Sequence, residues 1–445
     1  MTYQQTLDFM FSQLPMYQRI GAAAYKNDIQ PTLDLMIELG HPEIQFRTIH
    51  VAGTNGKGSV SHMLASILQE AGYKVGLYTS PHLTDFRERI RINGEMIPQE
   101  AVTDFVEQHY EMLTSLSLSF FEMTVGMAFE YFARERVDVA VIEVGMGGRL
   151  DSTNVIRPEL SVITNIGLDH TQFLGDTLEK IAVEKAGIIK ESTPVVIGQT
   201  QPETQPVFDR IAAERNAPIT YADSHWVVAP EWRFDGERMT FALKQKMEGG
   251  EEKTLCPALT CGLIGPYQKW NIATVAEAVA QLCQRQLFKI SDENIRRGLD
   301  RVVENTHLMG RWQIIGHNPL TVCETAHNFD GINAMMMALD GMQYERLHII
   351  YGCVNDKDYR KILRYLQSQL DSKHTGKELV WRFSQPSVPR GLPVDDLVAA
   401  AKELGIDGKG YTNVKEAIAA AREAANPLDF VLVTGSIFLV ADALA

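Results

Sequence analysis

The string His50-Val51-Ala52-Gly53-Thr54-Asn55-Gly56-Lys57-Gly58-Ser59 constrains this chain more than any other part of it. It joins a short β-rich run, Arg47 to Ala52, to a stretch where Val60, Met63, Leu64, Ile67 and Leu68 recur at helical spacing until Gly72 stops the pattern. A glycine-rich turn between a strand and a helix is the setting of a phosphate loop. Glycines let the backbone curl so that successive N–H groups face one anion, and the helix N-terminus adds a favourable dipole. Lys57 supplies a mobile positive charge for β/γ-phosphates, and the Ser59 hydroxyl can ligate Mg²⁺. Thr54, Asn55, Gly56 and Gly58 complete the cradle. The spacing is GxxGKxS, a departure from the widespread GxxxxGK[ST] form. The bland alternative is a glycine-rich turn carrying a solvated lysine.

Two further pieces follow strands in the same way. Val137 to Glu143 is an apolar strand ending in a carboxylate, followed by Val144-Gly145-Met146-Gly147-Gly148-Arg149-Leu150-Asp151. An acid at the C-terminal end of a parallel strand faces the crevice where open α/β sheets bind ligands, and beside a phosphate loop it typically holds Mg²⁺. Leu160 to Thr164 is another strand, leading into Asn165-Ile166-Gly167-Leu168-Asp169-His170. His170 is a candidate ligand for metal or phosphate; a structural loop histidine is the alternative.

Strands alternating with helices imply a mostly parallel sheet covered on both faces. Helical patterns cover about 98–114, 122–135 and 177–188, and Val75 to Thr79 is a further strand. Met1 to Leu39 reads as mainly helical and contains Met16-Tyr17-Gln18-Arg19-Ile20-Gly21. Residues 225–262 read as a peripheral β element, and helices near 267–286 and 291–303 follow. After a linker, Asn305 to Gly310, the alternation restarts, with strands near 312–316, 320–323, 347–353, 378–383 and 430–434. The expected architecture is a large phosphate-loop domain, 1–304, with helices on both faces of its sheet, and a smaller α/β domain, 305–445.

Composition narrows the partners. Lys plus Arg is 42 and Asp plus Glu is 56 in 445 residues, a formal net charge of -14. A surface that acidic disfavours nonspecific nucleic-acid and anionic-membrane binding. It leaves room for a local basic pocket that takes small anions. No basic region followed by an apolar stretch opens the chain, and no run of about 18 apolar residues occurs. The five cysteines are irregularly spaced with no CxxC pair, which suggests neither a disulfide framework nor a structural zinc site. A reducing cytoplasm fits.

In order along the chain stand HVAGTNGKGS, TSPHL (Thr79 to Leu83), RERIRING (Arg87 to Gly94), EVGMGGRLDSTN, TNIGLDH and EKAGIIK (Glu184 to Lys190). Together they resemble the bacterial folylpolyglutamate synthase/dihydrofolate synthase family, a branch of the Mur-ligase-like ATP-dependent amide ligases. The resemblance spans nearly the whole chain. It implies a large nucleotide-binding domain and a smaller Rossmann-like one with ATP between them. It implies that L-glutamate is joined to a folate or dihydropteroate carboxylate through an acyl phosphate, giving ADP and phosphate.

By the same resemblance Gly56 to Ser59 bind ATP phosphates, and Ser59, Glu143 and His170 hold Mg²⁺. Lys185 matches a lysine carried as an N6-carboxylate, an anion that helps hold a second metal ion; pattern alone would make it a helix-surface lysine. Ser119, Phe120, Phe121, Glu122, Leu150, Asp151 and Ser152 are the expected pterin contacts. The alternative for residues 119–122 is a helix start with Glu122 in the first turn. Arg87, Arg89 and Arg91, on the loop after TSPHL, either meet an acidic substrate tail or form a solvated basic turn. Gly265-Pro266-Tyr267-Gln268-Lys269-Trp270-Asn271 resembles the family's G-x-[HY]-Q-x-x-N segment, which makes Asn271 an ATP contact. Gly310-Arg311 matches its GR motif, with Arg311 reaching phosphate.

The chain departs from the family's D-G-A-H-N-P motif, reading Glu324-Thr325-Ala326-His327-Asn328-Phe329. Glu324 can still accept from ribose hydroxyls, and His327 is expected near the nucleotide. Asp356-Lys357-Asp358 and Thr434-Gly435-Ser436 are family-like without an assigned step. The expected partners are small molecules (ATP, L-glutamate, dihydropteroate or reduced folates) and the expected state is a monomer. Competing readings are another Mur-type amide ligase and an ATP-binding regulatory switch.

Overall fold

The computed structural model describes residues 1–13, 28–234, 238–247, 250–355, 358–373 and 377–445. Residues 14–27, which include the segment 16–21, and the family-like pair Asp356-Lys357 lie outside the described residues. Packing divides the chain into two compact units. One is Met1–Gly262 with Gln268–Leu308, the other Leu263–Tyr267 with Met309–Ala445. The sequence reading assigns all of 1–304 to the first domain; the five-residue segment Leu263–Tyr267 instead joins the second unit.

The first unit is built on an eight-stranded sheet. Its strands are β1 (Arg47–Ala52), β2 (Val75–Tyr78), β3 (Ile90–Ile92), β4 (Glu95–Met96), β5 (Val139–Glu143), β6 (Leu160–Ile163), β7 (Val195–Ile197) and β8 (Ile219–Tyr221). Their order is β4-β3-β2-β5-β1-β6-β7-β8. From β2 to β8 all pairings are parallel, while β3 and β4 turn back antiparallel at one edge. The turn between them is Asn93-Gly94, both at positive φ (49° and 84°), the conformation a tight hairpin needs. All five residues of β5 are buried, as expected of a strand covered on both faces.

On one face a cluster containing Leu35, Met36, Tyr78, Phe129, Phe132 and Ile142 packs the helices Gln30–Glu38 and Phe120–Arg134 onto the sheet. A second cluster joins Ile163, Ile197 and Phe208 to Ile181 and Ala182 of the helix Leu178–Ala186. The peripheral β element is a separate antiparallel sheet, β9 (Trp226–Phe234), β10 (Met239–Lys246) and β11 (Glu252–Cys261), in the order β11-β10-β9.

The second unit holds a six-stranded sheet of β12 (Gln313–His317), β13 (Leu320–Cys323), β14 (Arg346–Tyr351), β15 (Glu378–Ser384), β16 (Gly408–Tyr411) and β17 (Phe430–Thr434). The order is β12-β13-β17-β14-β15-β16, parallel except for the edge strand β12. The second α/β unit expected from the sequence is thus present. Among the described residues no helix is long and apolar enough to cross a membrane.

Candidate active site

Three neighbouring parallel strands of the first sheet, β5, β1 and β6, end on the same side and each delivers one of the sequence motifs. Val51 pairs with Glu143 and Ala52 with Ile163, so the phosphate loop, the strand-end acid and the Thr164 loop begin side by side. Chain order reverses about β1, which makes this edge the topological switch point where open sheets bind ligands.

The phosphate loop is held from the Thr164 side. Thr54 N donates to Asn165 O (2.9 Å) and Asn55 N to Asn165 Oδ1 (2.9 Å). Gly167 N donates to Thr54 Oγ1 (2.9 Å), and Thr164 Oγ1 donates to Asn55 O (2.6 Å). Glycine at 53 is a steric requirement: its φ is +143°, and a Cβ there would lie 1.9 Å from Thr164 Oγ1. Gly56, at φ 86°, is the residue before the helix Lys57–Glu70, and Ser59 is buried in that helix's first turn. Asn271, over two hundred residues away in sequence, reaches the same loop; a Cβ on Gly56 would meet its Oδ1 at 2.3 Å. Its Nδ2 is fixed by donation to Gln268 Oε1 at 2.7 Å.

Both lysines point inward. Lys57 Nζ donates to Gly53 O (3.0 Å) and Thr54 O (3.1 Å), and Lys185 Nζ donates to Gly53 O (2.8 Å). Lys185 is 4 % exposed, not a surface lysine. Burial, then the nearby charge of Lys57, pushes its pKa down to about 7. Glu143 is buried, and its Oε2 accepts from Ser80 N at 3.1 Å. His170 stands half-buried after the Thr164 loop in a left-handed conformation (φ 50°).

The glycine loop after β5 is anchored at both ends. Asp151 Oδ2 accepts from Met146 N (2.8 Å), and Oδ1 accepts from Thr153 N (3.0 Å) and Thr153 Oγ1 (2.5 Å). Asp151, expected as a substrate contact, therefore spends both oxygens on its own loop, and burial raises its pKa. Ser152 is buried in the turn Ser152–Val155 that Asp151 caps, while Leu150 is half-buried. At the far end Arg149 N donates to Glu184 O (2.8 Å), and a Cβ on Gly148 would lie 2.9 Å from Lys185 O. The loop thus runs from the β5 acid to the helix carrying Lys185.

Ser119 and Glu122 form a capping box on the helix Phe120–Arg134: each side chain accepts from the other's backbone N–H. Phe120 is buried beneath it. The helix-start alternative is therefore what these residues adopt locally, and Phe121 remains half-buried beside Gly145 and Tyr78. The solvated-turn alternative fails for Arg89 and Arg91, which are 3 % and 5 % exposed, and Arg91 lies on a strand, not a loop. Arg89 Nε donates to His82 Nδ1 (2.8 Å), and its guanidinium lies 5.3 Å from the Phe120 ring centroid. Burial, then the Arg89 charge, holds the His82 pKa down at about 3, so this imidazole is a neutral acceptor.

In the second unit Glu324 follows β13 and is buried. Its Oε2 accepts from Trp312 N (2.9 Å) and Tyr267 OH (3.1 Å), and burial raises its pKa. Arg311 donates to Thr325 Oγ1 and to Gly310 O (3.3 Å). His327 Nδ1 sits 2.8 Å from Thr325 O. Without the family's proline at 329, Asn328 caps the helix Phe329–Asp340 by accepting from Gly331 N at 2.7 Å.

Sequence reasoning missed three contributors. Ser80 holds Glu143 through its backbone, Gln268 orients Asn271, and Asp169 lies close enough to Lys185 to raise its pKa against the burial effect. All three stand inside the quoted motifs, so position within a motif was the available signal.

These strand-end loops and inward-facing lysines coincide with matches to known families. The Mur ligase middle domain matches residues 51–279, and the Mur ligase glutamate ligase domain matches 310–437. The protein is accordingly an ATP-dependent ligase of the Mur class. The dihydrofolate synthase/folylpolyglutamate synthase of Bacillus subtilis is 35 % identical over 92 % of this chain and 92 % of its own. The folylpolyglutamate synthase of Lacticaseibacillus casei is 35 % identical over 99 % of this chain and 97 % of its own. The solved structure of E. coli FolC in complex with DHPP and ADP superposes with a TM-score of 0.82 at 28 % identity, covering 100 % of this chain and 97 % of that one. The chain belongs to the folylpolyglutamate synthase/dihydrofolate synthase family of Mur ligases.

Proposed function

We propose that the protein joins L-glutamate to the carboxylate of a reduced folate, of dihydropteroate, or of both, at the expense of ATP. One observation carries the reading most directly: the ends of β5, β1 and β6 gather a phosphate loop, a buried acid and two inward-facing lysines. A carboxylate is a poor electrophile because oxide is a poor leaving group. Attack of a carboxylate oxygen on the γ-phosphorus releases ADP and leaves an acyl phosphate, whose phosphate departs readily. The neutral amine of glutamate then adds to the carbonyl carbon, and expulsion of phosphate completes the amide.

Phosphoryl transfer of this kind needs positioning and charge stabilisation rather than covalent help. Lys57 and the N–H groups of Gly56 to Ser59 supply both to the phosphates, with Thr54 and Asn55 shaping the loop and Asn271 bracing Gly56. Arg311, Glu324 and His327 are proposed nucleotide contacts, on the strength of the motifs they occupy. For the pteroyl substrate, Phe121 offers a half-exposed aromatic face beside Gly145. Glu122 and Asp151 hold the surrounding backbone, Arg89 lies over the Phe120 ring, and Ser119, Leu150 and Ser152 adjoin in sequence.

The donor set fits Mg²⁺ in kind. Ser59 hydroxyl and Glu143 carboxylate are oxygen ligands, His170 adds a nitrogen, and a Lys185 carbamate would add further oxygen. Among the described residues no group of three or more His, Cys, Asp or Glu side chains is arranged to hold a metal, so the set depends on the hydroxyl and the carbamate. Bound there, Mg²⁺ would offset charge on the transferring phosphoryl oxygens. Lys185 suits carbamate formation: with a pKa of about 7 much of it is neutral at neutral pH, and the neutral amine is the form that adds to CO₂, losing a proton. A cytoplasmic monomer acting on these small molecules completes the proposal.

The test is ADP release measured with ATP and glutamate, adding dihydropteroate in one arm and tetrahydrofolate in the other. Release that requires glutamate and at least one pteroyl acid is expected. Release requiring neither, but stimulated by a protein, would overturn the reading in favour of a switch.

A further inference from the structure

We infer that His50 is a positioning residue for the substrate loop, acting through Thr153 and Asp151; the inference rests on the function proposed above. His50 lies at the centre of β1, fully buried, three residues before the phosphate loop. Its Nε2 is 2.9 Å from Thr153 Oγ1, and Thr153 Oγ1 is 2.5 Å from Asp151 Oδ1. A hydroxyl has one proton to give. Asp151 already accepts N–H groups at both oxygens, so Thr153 donates to it and must accept from His50. His50 therefore carries its proton on Nε2. Its Nδ1 is buried with no hydrogen-bond partner, so the ring has no room for a second proton.

The relay ends at Met146 N, inside the loop that leads from Glu143 to the Lys185 helix. It ties the strand bearing the phosphate loop to the loop beside the pteroyl face, so loss of one donor loosens the second without touching the first. Glutamine is the conservative replacement, because its Nε2 is also a donor at similar reach.

The experiment compares His50→Gln, His50→Leu, Thr153→Val and Thr153→Ser by steady-state kinetics and by hydrogen exchange of the segment containing Met146. His50→Leu and Thr153→Val are expected to raise KM for the pteroyl acid about tenfold, the size of a lost buried hydrogen bond, with KM for ATP within about twofold. They should speed exchange at Met146, while His50→Gln and Thr153→Ser restore both readouts. Unchanged exchange in both apolar variants, or equal rises in both KM values without rescue, would overturn the inference. If the wild type turns over neither pteroyl acid, the functional reading fails, and exchange at Met146 still decides the relay.

Discussion

Lys57 and Lys185 donate to one oxygen, the Gly53 carbonyl, at 3.0 and 2.8 Å. Two ammonium groups on a single acceptor repel by something on the order of 3 kcal/mol at the dielectric suited to protein sites. Three things relieve that repulsion: an anion drawn between them, a neutral Lys185, or a Lys185 turned into an anion. The reaction proposed above uses the first for Lys57 and the last for Lys185, so the two lysines, alike in sequence, have opposite tasks.

Lys57→Met should leave the fold intact and lower the rate of glutamate-dependent ADP release by about 10²–10³-fold, the usual loss when one preorganised donor to developing charge is removed. Circular dichroism checks the fold. Activity near the wild-type rate, in protein purified free of host ligase, would remove Lys57 from the phosphate site.

Lys185→Ala should be inactive and partly rescued by acetate or another small carboxylate. For the wild type, activity should fall on CO₂ depletion and return with bicarbonate. A fully active, unrescued Lys185→Ala protein would rule out the carbamate.

Gly187→Ala tests the seat of that lysine. The backbone there is ordinary, but a Cβ would lie 2.3 Å from Arg149 Cα, where only backbone movement can make space. A loss of about 1–3 kcal/mol is expected from overpacking, read as a lower urea midpoint, with reduced ligase activity alongside. Gly405→Ala meets nothing within 4 Å and should cost only its left-handed backbone (φ +77°), about 1 kcal/mol, without loss of activity.

His50 sets a pH dependence. Burial, then the Lys190 charge, lowers its pKa from 6.5 to about 3, so the unfolded chain takes up the proton first. The stability this contributes is complete above pH 6.5 and is lost as pH falls toward 3. At pH 5 the loss from this one group is about 2 kcal/mol. His82 acts with the same sign, so the clean measurement is the difference in slope of unfolding free energy against pH between wild type and His50→Gln. Equal slopes between pH 7 and 5 would show that His50 is not held neutral.

Much of this was legible from sequence because its carriers are local. A glycine loop between strand and helix and a strand ending in an acid announce themselves by spacing, and so do β1, β5 and β6. What escaped depends on partners far away. Ile90–Ile92 and Glu95–Met96 are too short to show a period, although Asn93-Gly94 marked their turn. Arg89 reads as a surface cation until His82 and the Phe120 ring enclose it. Lys185 shares a helix stripe with the buried Ile181 and Ala182, yet a lysine there reads as a surface charge until its bond to Gly53 O and its packing against Gly148 are seen. Ser119-x-x-Glu122 carried a capping signature as well as a family one, and the capping reading is the one these side chains display.

The segment Leu263–Tyr267 has a consequence for dissecting the protein. A fragment begun at the apparent linker would contain every strand of the second sheet yet lack the Tyr267 hydroxyl that donates to Glu324. A buried acid would be left short of a donor in the piece meant to stand alone. No single cut separates the two units cleanly, because the chain enters the second, returns to the first and enters again. Excision, circular rearrangement or exchange of the C-terminal unit between relatives would have to carry these five residues along, or accept an acid that protonates more readily.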